Sequence, residues 1–257
     1  MDGYKRWAGR VALVTGASGG IGEDIARTLA SIGMKVAVAA RRRERLEALA
    51  ADCAASTTGG GQVLVCAGDV GNEADVLAIF KSIEQRWGTV DVLVNNAGTG
   101  MMSTLENGRW QDWCDTLNIN VAAPALCVRE ALRGMHAKEE AQIINLSSIY
   151  GHRNQVPNFS FYQASKFAVR ALTDTLRAEL AAREGGTRIR VGMISPGLVA
   201  TEFRGRASGG KFTYESYFEK YPPLLPSDIS DAVLYMLSKP PHVQVQDILL
   251  SPMGQAL

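Results

Sequence analysis

The stretch V-A-L-V-T-G-A-S-G-G-I-G, residues 11–22, joins a short apolar run to a turn that contains four glycines. Val11 to Val14 is apolar throughout and, with Thr15, predicts a buried strand. The residues after the turn place apolar side chains on one helical face, namely Ile21, Ile25, Leu29 and Ile32. A strand, a glycine turn and a helix in this order begin a βαβ unit.

The same alternation continues along the chain. Apolar runs predict strands at 11–15, 34–39, 62–66, 90–95, 141–147, 189–194 and 245–250. Helical patterns separate most of them, and the strands lack polar alternation, as expected where helices cover both faces. The sequence therefore predicts an α/β fold, a doubly wound Rossmann-type parallel sheet in a single domain over residues 1–257.

Two segments depart from this simple pattern. A long helical stretch from about Arg109 to His136 contains Pro124, where we expect a kink. Residues 202–222 have no clean periodicity and carry six aromatic residues, namely Phe203, Phe212, Tyr214, Tyr217, Phe218 and Tyr221. Irregular segments of this length are usually functional, so we expect a substrate lid at about 202–222.

Composition excludes several classes of function. The formal net charge of the 257 residues is +1, which argues against nucleic acid as a partner. No apolar run approaches the ~20 residues of a membrane span, and the N-terminal residues lack an apolar signal core, so we expect a cytoplasmic protein. The four cysteines form no C-x-x-C pair and no histidine lies at metal-ligand spacing, so no metal site is predicted.

The glycine turn at residues 15–22 is a candidate phosphate site, because glycine lets the backbone approach a ligand and the next helix begins with free N–H groups. The turn lacks the G-K-[ST] ending of a P-loop, which argues against ATP or GTP. Residues 16–20 also match G-x-S-x-G, which would make Ser18 a hydrolase nucleophile. With only His136, His152 and His242 available as bases, that hydrolase stays an alternative.

Arginines follow the second predicted strand, where an NAD site usually has an acidic residue. Arg41 and Arg42 stand there, and a guanidinium can bind a 2′-phosphate through two hydrogen bonds. We predict NADP(H), with Arg41 as the leading phosphate ligand, Arg42 second, and Ser18 adding a hydroxyl. Asp69 and Val70 follow the third strand, where a carboxylate can accept from the adenine amino group.

Ser148, Tyr162 and Lys166 are the candidate chemical centre. Tyr162 and Lys166 are one helical turn apart, so an ammonium close to the phenol is expected to lower the tyrosine pKa from about 10. Tyr162 then suits general acid–base catalysis. Ser148 follows the fifth strand at the carboxyl edge of the sheet, where its hydroxyl can hold a substrate oxygen.

Over nearly its whole length the chain resembles the short-chain dehydrogenase/reductase family. The matching motifs are T-G-A-S-G-G-I-G at 15–22, N-N-A-G at 95–98, N-I-N-V with Asn120, S-S-I-Y-G at 147–151, Y-Q-A-S-K at 162–166 and S-P-G-L-V-A-T at 195–201. The resemblance implies that Tyr162 is the acid/base and Ser148, rather than Ser147, the substrate-oxygen serine. It further implies that Lys166 binds the nicotinamide ribose and that Asn120 holds a water between Lys166 and solvent.

The resemblance extends to the cofactor site. It implies that Asn95 and Gly98 support the sheet and the cofactor, and that Val199 and Thr201 meet the nicotinamide carboxamide. The residues predicted to bind the cofactor are Gly16, Ser18, Gly20, Ile21, Gly22, Arg41, Arg42, Asp69, Val70, Asn96, Ala97, Gly98, Tyr162, Lys166, Pro196, Gly197, Val199 and Thr201.

Within the family the chain is similar to the dehydrogenase/reductase member-11-like group, which includes insect farnesol dehydrogenases. The similarity rests on Arg6, Trp7 and Arg10, on S-x-x-G-H at 148–152, and on residues 245–252. It implies an apolar alcohol or carbonyl substrate, such as a 17β- or 3-keto/hydroxysteroid or an isoprenoid alcohol. It also implies a homodimer or homotetramer through helices near 109–136 and 160–182. A redox-sensing regulator without turnover is the other alternative, and the intact catalytic residues argue against it.

Overall fold

Seven strands form one parallel sheet in this computed structural model, which describes residues 3–56, 60–153, 157–210 and 222–255. The strands are β1 (Val11–Thr15), β2 (Lys35–Ala40), β3 (Gln62–Ala67), β4 (Val92–Asn95), β5 (Ala141–Leu146), β6 (Ile189–Pro196) and β7 (Asp247–Leu250). Their order across the sheet is β3-β2-β1-β4-β5-β6-β7, and neighbouring strands pair in parallel throughout. The predicted doubly wound, Rossmann-type sheet is confirmed.

Helices cover both faces of the sheet. They are α1 (Gly20–Ser31), α2 (Arg43–Ser56), α3 (Glu73–Trp87), α4 (Trp110–Leu117), α5 (Ala123–Met135), α6 (Ser160–Ala181), α7 (Phe203–Ala207) and α8 (Pro226–Ser238). Short 3₁₀ turns occupy Gly3–Trp7 and Ile149–Gly151. No helix in the described part of the chain is both long enough and apolar enough to span a bilayer.

The central strand β1 supplies both hydrophobic cores of the fold. Ala12 and Val14 belong to the core that α1, α2 and α8 cover, whereas Val11 and Leu13 belong to the core that α3, α5 and α6 cover. Successive side chains of a strand point to opposite faces, so a strand buried on both sides must be apolar at every position. This explains the unbroken apolar run at the start of the chain.

The site is positioned by the place of β1 in the sheet. The chain runs from β1 outward to β2 and β3, and then returns to β4 on the other side of β1. Connections from β1 and β4 therefore leave in opposite directions, which opens a crevice at the carboxyl ends of these two strands. The glycine turn follows β1 and N-N-A-G begins within β4, so both motifs lie at this crevice.

The predicted long helix over 109–136 is interrupted earlier than Pro124. The break is a π turn at Asn118–Ala122, in which the amide of Ala123 donates to the carbonyl of Asn118. Pro124 falls in the first turn of α5, where its missing N–H is tolerated. Pro124 has no N–H to donate to the carbonyl of Asn120, so the series of α-helical hydrogen bonds is broken there. The π turn that results lies on the N-terminal side of the proline.

Other differences from the predicted elements are small, with strand ends shifted by a residue or two. The segment at 202–222 is not irregular throughout, because it begins with the short helix α7. Of its six aromatic residues only Phe203 is described. Residues 211–221, which include Phe212, Tyr214, Tyr217, Phe218 and Tyr221, lie outside the described residues, and so does most of the predicted lid.

Candidate active site

A cleft of about 760 Å³ runs along the carboxyl edge of the sheet, from the glycine turn to Tyr162. This volume lies in the range of about 300–1,000 Å³ that is usual for small-molecule and cofactor sites. Nearly every residue predicted to bind the cofactor lines it; the exception is Gly22, which packs against Gly16 and Asn96 behind the cleft wall. The cleft joins two chemically different ends, one rich in arginine and one rich in aromatic rings.

The glycine turn is built for close backbone packing. Gly16 and Gly20 have φ of +69° and +58°, a region that favours glycine. A Cβ at Gly22 would lie 2.6 Å from the carbonyl oxygen of Gly16 and would collide with the side-chain amide of Asn96. Gly19 is the N-cap of α1 and has no side chain to cap the helix, so the first amides remain for an anion.

Asn96 holds the glycine turn from below. Its Nδ2 donates to the carbonyl oxygen of Thr15 at 2.9 Å and to that of Gly16 at 3.3 Å. In return, Thr15 Oγ1 accepts from the backbone amides of Asn96 and Ala97 at 3.1 and 3.0 Å. These bonds fix the end of β4 against the end of β1, so both motifs border the cleft in one rigid arrangement.

Arginines gather at one end of the cleft. Arg42 donates from Nε and Nη2 to Ser18 Oγ at 3.1 and 3.0 Å. Arg45 and Arg42 both pair with Glu202, at 2.9 and 3.3 Å, and Arg206 lies 3.9 Å from the same carboxylate. Hydrogen bonds from Arg45 and Arg42 hold the pKa of Glu202 below its usual value.

Arg41 points away from this cluster. Its side chain is 74% exposed and its Nη1 lies 3.8 Å from Asp69 Oδ2. Asp69 also accepts from the amide of Gly71 at 2.9 Å, and Val70 beside it is buried. The structure thus brings Arg42, not Arg41, into contact with Ser18, while Arg41 and Asp69 border the cleft next to them.

Tyr162, Ser148, Lys166 and Asn120 are all buried at the other end of the cleft. Ser148 lies close enough to Tyr162 for its side chain to lower the tyrosine pKa, and the amide of Tyr150 donates to Ser148 Oγ at 3.2 Å. Ser147 faces the other way, with its Oγ donating to the carbonyl oxygen of Lys166 at 3.3 Å. The two serines therefore have different partners, and the assignment of Ser148 as the substrate-oxygen serine stays a prediction.

The predicted lowering of the Tyr162 pKa by Lys166 was wrong for this structure. Burial raises the pKa of Tyr162 to about 12, although the Ser148 hydrogen bond and the charge of Arg204 oppose this. Burial also lowers the pKa of Lys166 to about 8. Lys166 Nζ donates to the carbonyl oxygen of Leu146 at 3.0 Å and lies 5.6 Å from the centre of the Tyr162 ring.

The π turn brings Asn120 to this centre. Its side chain exchanges two hydrogen bonds with the backbone of Thr99, at 2.7 and 2.8 Å, and donates to Ser165 Oγ at 2.9 Å. A Cβ built at Gly98 would lie 3.5 Å from Asn120 Oδ1 and 3.8 Å from Lys166 Nζ, so Gly98 separates the two side chains. Irregular turns of this kind are frequent at functional sites.

The segment after β6 closes the cleft opposite the glycine turn. Pro196, Gly197, Val199 and Thr201 all line it. Thr201 approaches the glycine turn so closely that a Cβ at Gly20 would lie 2.9 Å from its methyl group. These residues can therefore meet a ligand that lies on the turn.

Aromatic rings surround Tyr162, and of these only Phe203, in the predicted lid, was assigned a role from the sequence. The ring centres of Phe203, Phe159 and Tyr150 lie 5.3, 5.8 and 6.2 Å from that of Tyr162. Arg204 donates to the Tyr150 hydroxyl at 3.3 Å. Tyr150 stands two residues after Ser148 and Phe203 two after Thr201, which is a local signal, but nothing local marks Phe159.

Ser18 does not have the surroundings of a hydrolase nucleophile. Its Oγ is held by Arg42, which donates and cannot take a proton. His136 and His242 are exposed, and His152 contacts Ser195 and Asp247 at the β6–β7 side of the sheet. The hydrolase alternative is therefore set aside.

Known proteins share both the sequence and this architecture. The model of the short chain dehydrogenase family matches residues 10–210. The chain belongs to the short-chain dehydrogenase/reductase family. It is thus an oxidoreductase of that family, and its sheet, glycine turn and Ser148–Tyr162–Lys166 group are the features on which the resemblance was based.

Two relatives resemble this short-chain dehydrogenase over nearly the full length of both chains. "Dehydrogenase/reductase SDR family member 11" of Mus musculus is 42% identical over 98% of this chain and 98% of its own. "Farnesol dehydrogenase" of Aedes aegypti is 43% identical over 97% and 98%. The predicted similarity to this group is confirmed.

Two solved structures share the fold. An alcohol dehydrogenase from the archaeon Thermococcus sibiricus, complexed with 5-hydroxy-NADP, superimposes with a TM-score of 0.83 at 30% identity, covering 96% of this chain and 98% of its own. A serine dehydrogenase complexed with NADP+ gives 0.86 at 31% identity, covering 96% of each chain. Nucleotide binding is thus a property of closely similar folds.

Proposed function

We propose that this protein is an NADP(H)-dependent alcohol dehydrogenase or carbonyl reductase that interconverts an alcohol and a ketone or aldehyde. The observation that carries the proposal is the pairing of two ends in one cleft. At one end Arg42 lies on Ser18 beside the glycine turn, and at the other the buried side chains of Ser148 and Tyr162 line the cleft together.

The chain's own residues fit a dinucleotide. The positions of Gly16, Gly20 and Gly22 leave no room for a Cβ, and the uncapped start of α1 offers its amides to a pyrophosphate. The predicted cofactor residues other than Gly22 lie along this cleft, from Arg41 and Asp69 to Lys166 and Thr201. When bound, the nicotinamide supplies or takes up the hydride.

The charge at the arginine end favours NADP(H) over NAD(H). Arg42, Arg45 and Arg206 approach a single carboxylate, Glu202, within 4 Å. Burial and the charges of Arg42, Arg45 and Arg41 lower the pKa of Arg206, so positive charge is in excess there. A phosphate dianion is the ligand that such a group of guanidiniums binds best.

Tyr162 supplies the proton in the reductive direction. With a pKa near 12 its hydroxyl stays protonated at neutral pH and can donate to a carbonyl oxygen as negative charge develops there. Ser148, next to Tyr162, stabilises the same oxygen. Lys166, whose pKa burial lowers to about 8, returns a proton to this centre through a water that Asn120 would hold between Lys166 and solvent.

The lining around Tyr162 suits an apolar substrate. Phe159, Phe203 and Tyr150 present ring faces and edges to the space beside the phenol. We therefore propose a steroid with a 17β- or 3-keto/hydroxy group, or an isoprenoid alcohol of the kind named in the mosquito relative, as the substrate class.

A homodimer or homotetramer is part of the proposal. Trp110 and Leu117 on α4, and Phe167 and Leu172 on α6, are exposed apolar side chains, and α4 and α6 pack together. A second copy would cover them. Light scattering at micromolar concentration tests this: a monomer would refute it.

The function is tested by following NADPH and NADH consumption side by side with 17- and 3-ketosteroids, farnesal, dicarbonyls and quinones. We expect turnover with NADPH that Tyr162→Phe reduces by about 10²–10⁴-fold. The matched control is Tyr235→Phe, which alters an exposed tyrosine. Nucleotide binding without turnover would favour the redox-sensing regulator instead, and wild-type turnover in Tyr162→Phe would refute the acid/base role.

A further inference from the structure

His152 lies at the end of the turn that carries Ser148. Ser148 is the N-cap of the 3₁₀ turn Ile149–Gly151, and His152 is its C-cap. The His152 imidazole Nε2 lies 3.0 Å from Ser195 Oγ and 3.1 Å from Asp247 Oδ2, and Ser195 Oγ donates to Asp247 Oδ1 at 3.1 Å. The segment from Ser148 to His152 is named the catalytic turn, and strands β6 and β7 thus hold the side chain of its last residue.

A contact on the opposite ring nitrogen fixes the tautomer of His152. Arg170 Nη1 on α6 lies 3.2 Å from His152 Nδ1. A guanidinium can only donate, so Nδ1 accepts and the ring proton resides on Nε2. The Nε2–H then donates towards Asp247 and Ser195, which places one neutral imidazole between donors and acceptors from three elements.

These residues include a serine, a histidine and an aspartate, but they do not form a nucleophilic triad. Ser195 is fully buried, and both Ser195 and Asp247 face the same imidazole nitrogen. A triad needs the serine and the carboxylate on opposite nitrogens. The group is therefore arranged to hold the ring rather than to activate the serine.

Both ends of the catalytic turn rest on the same end of β6. Ser148 Oγ lies 3.5 Å from the carbonyl oxygen of Pro196, and His152 contacts Ser195, the residue before it. Between these two anchors, the amide of Tyr150 donates to Ser148 Oγ at 3.2 Å. Release of the His152 anchor would let the turn move and take with it the amide that orients the serine hydroxyl.

We propose that His152, held by Asp247 and Ser195, is a positioning residue that fixes the turn and thereby directs the Ser148 hydroxyl towards the substrate oxygen. The proposal deepens the proposed function, on which the role of Ser148 rests. It gives a physical role to the histidine of the S-x-x-G-H segment at 148–152, which the catalytic residues alone leave without one.

Two variants of His152 separate positioning from simple loss of structure. His152→Leu keeps the volume and removes the hydrogen bonds, whereas His152→Gln retains an N–H that can donate to Asp247. We expect His152→Leu to lower kcat by about 10²-fold, the cost of a small misplacement of a reacting group, with little change in the Kd of NADPH. His152→Gln should recover most of kcat. His242→Leu and His242→Gln, at an exposed histidine, are the matched controls.

A second measurement does not depend on turnover. Hydrogen exchange at the Tyr150 amide, which donates to Ser148, should accelerate in His152→Leu and stay near the wild-type rate in His152→Gln. If His152→Leu does not fold, Asp247→Ala, at the exposed end of the contact, should give the same acceleration with a smaller loss of kcat. An unchanged Tyr150 exchange rate in a folded variant, or wild-type kcat in His152→Leu, would overturn the proposal. Absence of NADPH turnover in the wild type would count only against the proposed function.

Discussion

Arg42 lies directly on Ser18, with its Nε and Nη2 at 3.1 and 3.0 Å from the serine hydroxyl oxygen. Ser18 belongs to the glycine turn and Arg42 follows β2, so the contact closes the arginine end of the cleft. By contrast, Arg41 is mostly exposed and faces Asp69. The sequence ranked Arg41 first as the phosphate ligand, whereas the contacts favour Arg42.

Single alanine variants separate the two arginines. Arg42→Ala should weaken NADPH binding by about 10–150-fold, because hydrogen bonds to charged groups contribute roughly 1.5–3 kcal/mol. NADH binding should change much less, and Arg41→Ala should have the smaller effect on NADPH. Isothermal titration with both nucleotides measures this. A larger effect of Arg41→Ala than of Arg42→Ala would mean that Arg41 is the main phosphate ligand, as the sequence suggested. Equal effects on NADH and NADPH would mean that these arginines do not bind the 2′-phosphate.

Glu202 is expected to compete with a bound phosphate. Its carboxylate pairs with Arg42 and Arg45, the guanidiniums closest to Ser18 and Gly19. These ion pairs are about half exposed, so each contributes no more than about 0.5–1 kcal/mol of attraction that a phosphate must displace. Removing the carboxylate charge in Glu202→Gln should therefore tighten the binding of adenosine 2′,5′-bisphosphate about two- to fivefold.

The control for Glu202→Gln is Glu47→Gln, which removes a carboxylate paired with Arg43 on the same helix as Arg45 but outside the cleft. Neither variant should change the affinity for 5′-AMP, which has no 2′-phosphate. Weaker binding of the bisphosphate to Glu202→Gln would mean that Glu202 orients the arginines instead of competing for them.

The sheet was predictable because its strands obey one physical constraint. A parallel strand covered on both faces must be apolar along its buried length, and β1 with its unbroken V-A-L-V before Thr15 shows that constraint in the sequence itself. The position of the break in the long helix was harder to predict. A proline marks where α geometry fails, but the π turn at Asn118–Ala122 that absorbs the failure depends on packing against Thr99 and Ser165.

The positions of site residues could be predicted where helical spacing or the end of a strand determines them. Tyr162 and Lys166 share a helical turn, so their proximity follows from spacing, and Ser148 follows from the carboxyl edge of the sheet. The environment that sets their charge does not follow, since the burial that raises the pKa of Tyr162 to about 12 comes from separate segments. Phe159 and Arg204 approach Tyr162 from such segments and carry no local signal.

The glycine turn makes a steric prediction. A Cβ at Gly22 would lie 2.6 Å from the carbonyl oxygen of Gly16 and would collide with Asn96, so Gly22→Ala must displace the start of α1. We expect a loss of about 1–3 kcal/mol in the free energy of unfolding and weaker binding of both NADPH and NADH. Urea unfolding and nucleotide titration give the two values.

Gly19→Ala is the matched control within the same turn. Its Cβ would meet Arg42 Nη2 at 3.4 Å, an ordinary contact, and its backbone is extended with φ of 163°. This variant should lose only about 0.5–1 kcal/mol, because alanine is a somewhat poorer N-cap residue than glycine. If Gly22→Ala were as stable as Gly19→Ala, the turn would have room that the close contact excludes.

The ion pairs of Glu140 are expected to make the fold less stable in acid. Burial raises its pKa, but the hydrogen bond from Arg6 and the charges of Arg190, Arg6 and Arg10 outweigh burial and leave the pKa lowered. The folded state therefore holds this carboxylate charged at a pH where the unfolded chain takes up a proton. Its contribution is complete above the pKa of an unfolded glutamate, about 4.3, and is lost as the pH falls through the lowered folded pKa.

Glu140→Gln tests that limit by urea unfolding at a series of pH values. At pH 7 the variant should lose about 3–5 kcal/mol, because Arg190 stays buried with its 2.6 Å partner neutralised. The difference from the wild type should shrink as the pH falls below about 4.3, since the wild-type carboxylate is then protonated as well. Glu73→Gln, which alters an exposed pair with Arg129, should cost less than about 1 kcal/mol at any pH. A difference between Glu140→Gln and wild type that stayed constant from pH 7 to strong acid would show that the charge of Glu140 does not stabilise the fold.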